Sequence, residues 1–163
     1  MPPERRLETE RLVLTPLSLA DESEHATACG RHADALRDTK LAHEHWRAHG
    51  FGHWAVRDRA GAFLGVAEVH YAGPGIDGIV EEELEAGWWV TETRRNQGIA
   101  TEAMRTALDD LWSRAGATHV TAYIDGENPS SVRVAAKLGF RVRGPGHGRF
   151  GEPMTVYELR HGV

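Results

Sequence analysis

Between residues 84 and 116 the chain changes period once, and that change limits its possible folds more than any other feature. Residues 84–90 (LEAGWWV) alternate as a strand does, and a polar turn follows. From Gly98 onward Ala100, Met104, Ala107, Leu108, Leu111 and Ala115 recur at helical spacing until Gly116, a natural stop. A strand that passes through a glycine turn into an amphipathic helix belongs to a sheet with helices packed on it. The rest of the chain agrees. Residues 11–17 read as a strand ended by Pro16, and Ser18 opens a polar helical region that breaks at Gly30 and stops near Gly50. Residues 51–57 and 62–71 read as strands joined by the turn Asp58-Arg59-Ala60-Gly61, and residues 72–79, rich in glycine, as a loop. Residues 119–125 return to period 2. Asn128 and Pro129 open a short helix as N-cap and first helical residue, and it ends at Gly139. Residues 140–143 and 154–160 supply two last strands. The expected fold is a mixed α/β sheet with helices on its faces.

With 163 residues, no linker and no repeat, residues 1–163 are expected to form a single domain. A formal charge of -5, from 19 basic and 24 acidic side chains, argues against general nucleic-acid binding. No stretch approaches the roughly 20 apolar residues of a membrane span. Met1-Pro2-Pro3-Glu4-Arg5-Arg6 leads into no apolar signal-peptide core, so the expectation is a cytoplasmic protein without membrane contact. Cys29 is the one cysteine, which excludes an internal disulfide and a cysteine-ligated zinc site.

The turn itself carries the chemistry. Arg95-Asn96-Gln97-Gly98-Ile99-Ala100 puts small residues where the first unpaired N–H groups of the helix emerge. Such a helix start attracts an anion through its free donors and its dipole. Arg94 and Arg95 add positive charge, and Thr101 adds a hydroxyl. A plain strand-to-helix turn, with glycine there for conformation alone, explains the same residues without a ligand. The spacing is that of neither the P-loop nor the dinucleotide fingerprint.

Arg95-x-x-Gly98-x-Ala100 resembles the acyl-CoA signature Gln/Arg-x-x-Gly-x-Gly/Ala of the GNAT N-acetyltransferase superfamily. Residues 10–17 (ERLVLTPL), 85–90 (EAGWWV) and 97–103 (QGIATEA) resemble its RimJ/RimL-like branch, as do Asn128-Pro129-Ser130-Ser131 and Lys137-Leu138-Gly139-Phe140. The resemblance runs from about residue 5 to residue 159. It implies a GNAT-type mixed, mostly antiparallel central sheet with helices on both faces. It also implies acetyl-CoA as co-substrate, no metal, and transfer of acetyl to a primary amine by direct attack in a ternary complex. The acceptor is then a protein N-terminus or a small-molecule amine. Homodimers are common in this branch, and the sequence carries no decisive interface signal.

By that resemblance the strand ending in Trp89, Val90 and Thr91 splays from its neighbour and offers backbone groups to the pantetheine arm, as in strand addition to a sheet edge. The pyrophosphate then sits on the N–H groups of Gln97, Gly98, Ile99, Ala100 and Thr101, with Arg95 and Asn96 beside it. Trp88 and Trp89 face opposite ways on the strand, so one of them belongs to the core. Asn128 is either a bare N-cap or also a contact to the pantetheine and the acceptor side of the thioester.

Acetyl transfer to an amine needs a base, an oxyanion donor and a departing thiolate. Glu85 is the favoured base: it shares a strand face with Gly87 and Trp89, and lies roughly 7 Å from Gly87 at about 3.3 Å per residue. Its bland reading is one more solvated carboxylate in the acidic run 81–85. Glu68, on a face with Leu64, Val66 and His70, is the second candidate, with pairing to His70 as its alternative. The family's tyrosine acid is replaced here by Ala135. In RimL-like proteins a serine in this block stabilises the thiolate, and Ser131 matches it, with Tyr123 as a fallback. His45 and His49 are spaced for one helix face and His43 and His53 lie nearby, but no His-Glu-x-x-His pattern occurs. These histidines read as surface or packing residues that line the acceptor cleft. The acidic run and the net charge favour a cationic acceptor. The rival from another class is a non-catalytic acyl-CoA-binding sensor that retained the cofactor site.

Overall fold

The computed structural model describes residues 5–73, 77–79, 82–148 and 150–162. Its strands are β1 (Leu7–Glu8), β2 (Leu12–Pro16), β3 (Trp54–Asp58), β4 (Phe63–Tyr71), β5 (Leu84–Val90), β6 (His119–Ile124), β7 (Arg141–His147) and β8 (Pro153–Arg160). The helices are α1 (Glu22–Cys29), α2 (His32–His49), α3 (Ile99–Ala115) and α4 (Pro129–Leu138). Together the strands form one sheet in the order β1-β2-β3-β4-β5-β6-β8-β7. β5 and β6 are parallel, and every other neighbouring pair is antiparallel. This is the mixed, mostly antiparallel sheet with helices expected from the sequence. Residues 74–76 of the expected loop and Glu81 of the acidic run lie outside the described residues. No helix among the described residues is long and apolar enough to cross a membrane.

The sheet is buried by side chains that alternate across it. Ala67 and Val69 of β4 and Ala86 of β5 pack with Ile99, Ala103, Met104, Ala107, Leu108 and Leu111 of α3. On the other face Val66 packs with Ala42 of α2, Leu17 and Ala55. Leu64 belongs with the α3 core rather than with Val66. The register explains this departure from simple alternation: Val56 pairs with Gly65 and Arg57 with Phe63, so Leu64 is an extra residue and the face changes there.

Three boundaries differ from the sequence expectation. Phe51, Gly52 and His53 precede β3 instead of joining it, and the His53 carbonyl accepts from the Leu17 N–H at 2.8 Å and from Trp46 Nε1 at 2.7 Å. β1 is a two-residue strand that is too short to show a period. β7 runs on to His147 through Gly144-Pro145-Gly146 because β8 pairs with it along that length. Pro145 is tolerated there since β7 is the edge strand.

The geometry that positions the site is a gap in the sheet. β5 and β6 are joined at one register pair, Glu85 with Thr121, backed by the Thr121 hydroxyl donating to the Leu84 carbonyl at 3.1 Å. Beyond Glu85 the two strands part, while β5 stays paired with β4 up to Val90. Thr91 N–H still donates to the Leu64 carbonyl at 2.7 Å. Because backbone groups alternate along a strand, the Val90 N–H and carbonyl then face the gap.

Candidate functional site

One cavity, of about 380 Å³, lies where that gap meets the start of α3 and the first turns of α4. Its lining brings together Trp89, Val90, Arg95, Asn96, Gly98, Ile99, Ala100, Thr101, Asn128 and Ser131 from the residues singled out in the sequence. Thr91 and Gln97 are not in that lining. Thr91 is tied to β4, and Gln97 is held from outside: its carbonyl accepts from Arg11 at 2.8 Å and its side-chain oxygen from Arg94 Nε at 3.2 Å.

The first α-helical bond of α3 runs from Glu102 N–H to the Gly98 carbonyl at 3.0 Å. The N–H groups of Ile99, Ala100 and Thr101 therefore have no partner within the helix. Gly98 adopts φ 77°, a left-handed conformation that glycine reaches without steric cost. Arg11 anchors the turn by binding Glu102 through Nε at 2.9 Å as well as the Gln97 carbonyl. Arg94 is spent on structure, pairing with Asp58 at 3.3 Å. Arg95 donates to the Val90 carbonyl at 3.0 Å and remains exposed. Arg133 and Lys137 add two cations to the lining from one face of α4. Sequence reasoning missed this pair, although the four-residue spacing on a short helix was visible.

Asn128 performs the N-cap role, its side-chain oxygen accepting from the Ser131 N–H at 3.2 Å. Trp88 packs on the α3 core and tilts against Phe140 at 6.0 Å, while Trp89 stacks on His25 at 5.3 Å on the opposite face. The two indoles thus face opposite ways as alternation requires. Trp88 Nε1 is buried without a hydrogen-bond partner. Ala135, in the place of the family's tyrosine, is fully buried in the core.

A second, larger cavity of about 950 Å³ adjoins the first, and Trp89 and Arg95 line both. Its walls come from α1 and α2, and its floor from β4 and β5. Glu68, Glu85 and Tyr123 all line it. Of the four histidines near the end of α2, His45 and His53 line it; His43 and His49 do not. Glu85 is 5% exposed, so it is not part of a solvated face. Nor is the acidic run a uniform lure for cations. Glu82 is exposed, and Glu83 is neutralised by Arg143 at 3.0 Å. Gly87 sits opposite Glu68, and a Cβ there would come within 2.6 Å of Glu68 Oε2, so the missing side chain makes room for that carboxylate.

The histidines of this floor are held neutral. His45 Nδ1 lies 2.8 Å from the Phe51 carbonyl, which can only accept, so Nδ1 carries the proton. Its Nε2 then accepts from the Tyr71 N–H at 3.1 Å, and both ring nitrogens are satisfied by the neutral form. Burial, joined by the neighbouring imidazoles, pushes His53 and His70 down to about 4. His45 is lowered as well, mainly by burial.

The chain matches the Acetyltransferase (GNAT) domain over residues 11–141. It is 28% identical over 121 residues to the uncharacterized protein YkkB of Bacillus subtilis, a match covering 70% of this chain and 64% of that relative. Among solved structures, a GnaT-family acetyltransferase described for Bordetella pertussis superposes with a TM-score of 0.85 at 26% identity, covering 95% of this chain and 99% of that one. RimJ of Mycobacterium smegmatis, solved in complex with CoA-disulfide, gives a TM-score of 0.69 at 19% identity over 92% of this chain and 82% of its own. The last likeness is one of fold. With the domain match spanning most of its length, the chain belongs to the GNAT acetyltransferase family.

Proposed function

We propose that the protein is an N-acetyltransferase that moves the acetyl group of acetyl-CoA to a primary amine in a ternary complex. The observation that carries this reading is the junction of the two cavities. One offers unpaired helix-start donors and a parted strand, the other a buried carboxylate, and they meet at Trp89. In the reaction the pyrophosphate takes the N–H groups of Ile99, Ala100 and Thr101, with Arg95, Arg133 and Lys137 supplying countercharge. The pantetheine arm runs along the edge of β5 in the gap, and Asn128 contacts it while capping α4.

The amine attacks the thioester carbonyl, a C–N bond forms, and the C–S bond breaks. Val90 N–H, facing the gap, stabilises the oxyanion. Glu85 takes the ammonium proton, directly or through water, and Glu68 is its alternate. The Ser131 hydroxyl donates to the leaving thiolate, and Tyr123 on the cavity wall is the second candidate for that role. The acceptor is cationic. Arg31 and Arg37 pair with Asp34 at 3.2 and 3.3 Å and the floor histidines are neutral, so Glu68 and Glu85 dominate the charge at the floor. The motifs in residues 85–103 and 128–140 support the RimJ/RimL-like branch. A non-catalytic sensor would have no use for a buried carboxylate beside the cofactor cleft.

Thermal shift and free-thiol release with acetyl-CoA against a panel of amines and N-terminal peptides test the reading. At 100-fold excess over its dissociation constant acetyl-CoA should stabilise the fold by about 2.7 kcal/mol. Thiol release with one acceptor class is the expected outcome. The absence of any shift would remove acetyl-CoA from the site, and a shift without release by any amine would favour the sensor.

A further inference from the structure

The floor of the larger cavity holds a set of donors beyond Glu85, the favoured base of acetyl transfer. The register puts them side by side: Trp54 pairs with Ala67, so His53 stands opposite Glu68, and His70 lies two residues further along the same face of β4. One ligand atom from each of His53, Glu68 and His70 lies within 4.8 Å of the other two. We propose that His53, Glu68 and His70 bind a zinc ion, with the open coordination position facing the acceptor cavity.

Two imidazoles and one carboxylate are a donor set suited to zinc, and three protein ligands with an open fourth position are the arrangement of sites that exchange a small ligand. Zinc ligands at about 2.0–2.2 Å from the ion are about 3.4 Å apart, so the three side chains close by about 1.5 Å or less on a cavity wall that has room for it. Two further observations call for a cation here. His53 Nδ1 is buried with no hydrogen-bond partner. His70 Nδ1 lies 2.9 Å from the Tyr71 carbonyl and so carries the ring proton, which leaves Nε2 a lone pair. That lone pair is directed to the cavity side, where Glu85 Oε2 lies 3.7 Å away. A cation bound by that lone pair would have the Glu85 carboxyl group beside it as an outer partner. The rings of His53 and His70 stand at 89° with centroids 4.7 Å apart, in edge contact rather than stacked.

The site was hidden from spacing arguments because His53 is 15 residues from Glu68 in sequence and strand pairing alone unites them. The zinc site does not rest on acyl-CoA binding, but it shares Glu68 with the proposed reaction: with Glu68 holding the ion, Glu85 alone remains as base. The test is competition for zinc between chelator-treated protein and a chromophoric chelator. One tight equivalent per chain is expected, with His70→Gln and Glu68→Gln each weakening it at least about tenfold. His161→Gln, a change of an exposed histidine stacked on Trp112, should leave it unaltered. Circular dichroism establishes that each variant is folded. If the wild type takes up no equivalent, or if folded His70→Gln and Glu68→Gln both bind as tightly as the wild type, the proposal is overturned. A CoA thermal shift on the same samples separates the outcomes: zinc uptake without a CoA shift leaves the zinc site standing while the cofactor reading fails, and a CoA shift without zinc uptake does the reverse.

Discussion

The two cavities share Trp89 and Arg95 yet are built by opposite means. The smaller one is mainly a main-chain device. Its central donors are N–H groups left over by a helix start and a strand edge, and they exist because Gly98 turns the chain and β5 parts from β6. The larger one is a side-chain device, in which His25 of α1, Asp38 and His45 of α2, Glu68 and His70 of β4 and Glu85 of β5 converge from separate segments. A main-chain site tolerates many side chains but not a change of backbone conformation. A side-chain site behaves the other way: one substitution can abolish its chemistry while leaving the fold and the neighbouring cavity intact.

The sharpest way to break this comparison is Glu85→Gln, which keeps shape and removes the proposed base. Thiol release with a competent amine should fall about 10²-fold or more, while the CoA dissociation constant stays within about twofold. An equal loss of both would mean that the cavities are one unit. Gly98→Val attacks the other side. A β-branched residue is strained at φ 77°, and its Cβ would lie 3.4 Å from the Arg11 guanidinium that anchors the turn, so the helix start must shift. CoA affinity should drop about 10–100-fold, the worth of one or two charge-assisted hydrogen bonds. Isothermal titration measures it, and unchanged affinity would show that Gly98 serves the turn alone.

Legibility in the sequence follows the same division. The element order and the strand-to-helix turn at Gly98 are readable because they depend on local period, caps and a contiguous motif. Residues 84–116 carry both strand and helix signals within one window, and Asn128 with Pro129 marks α4 without tertiary help. β7 extends beyond the strand its sequence predicts, since Gly144-Pro145-Gly146 has loop composition until β8 pairs with it. Alternation predicts Leu64 on the face of Val66, and the bulge that moves it has no strong sequence mark. The histidine and carboxylate floor was legible one residue at a time, Glu85 and Glu68 as candidates and the histidines as cleft lining. Their juxtaposition was not. It is set by register between strands, which a single chain does not display.

Acid should separate the regions further, since the larger cavity titrates. His53 and His70 protonate near pH 4 in the folded chain and near the ordinary value of about 6.5 when unfolded. Between those values the unfolded chain binds more protons, so stability rises with pH across the window and is lost as pH falls from about 6.5 to 4. A loss of roughly 3 kcal/mol for each of the two imidazoles is expected from urea melts of the chelator-treated protein, and His70→Gln should about halve the slope. A flat profile in the wild type would mean that these imidazoles are more hydrated than the cavity geometry implies.

The smallest effect lies where a side chain serves the main-chain site. Asn128 accepts from the Ser131 N–H at 3.2 Å, and Asn128→Ala leaves that donor to water or to a ligand. Loss of an N-cap costs about 1 kcal/mol, which for a chain of 163 residues lowers Tm by roughly 2–4 °C. The informative quantity is CoA affinity measured below that melting range. If it is unchanged while Tm falls, Asn128 is a cap and the cofactor cavity is backbone-built on its α4 side too. If affinity falls about tenfold along with Tm, one amide performs both jobs, its oxygen turned into α4 and its two N–H groups available to the pantetheine arm, and the division between main-chain and side-chain construction ends at this residue.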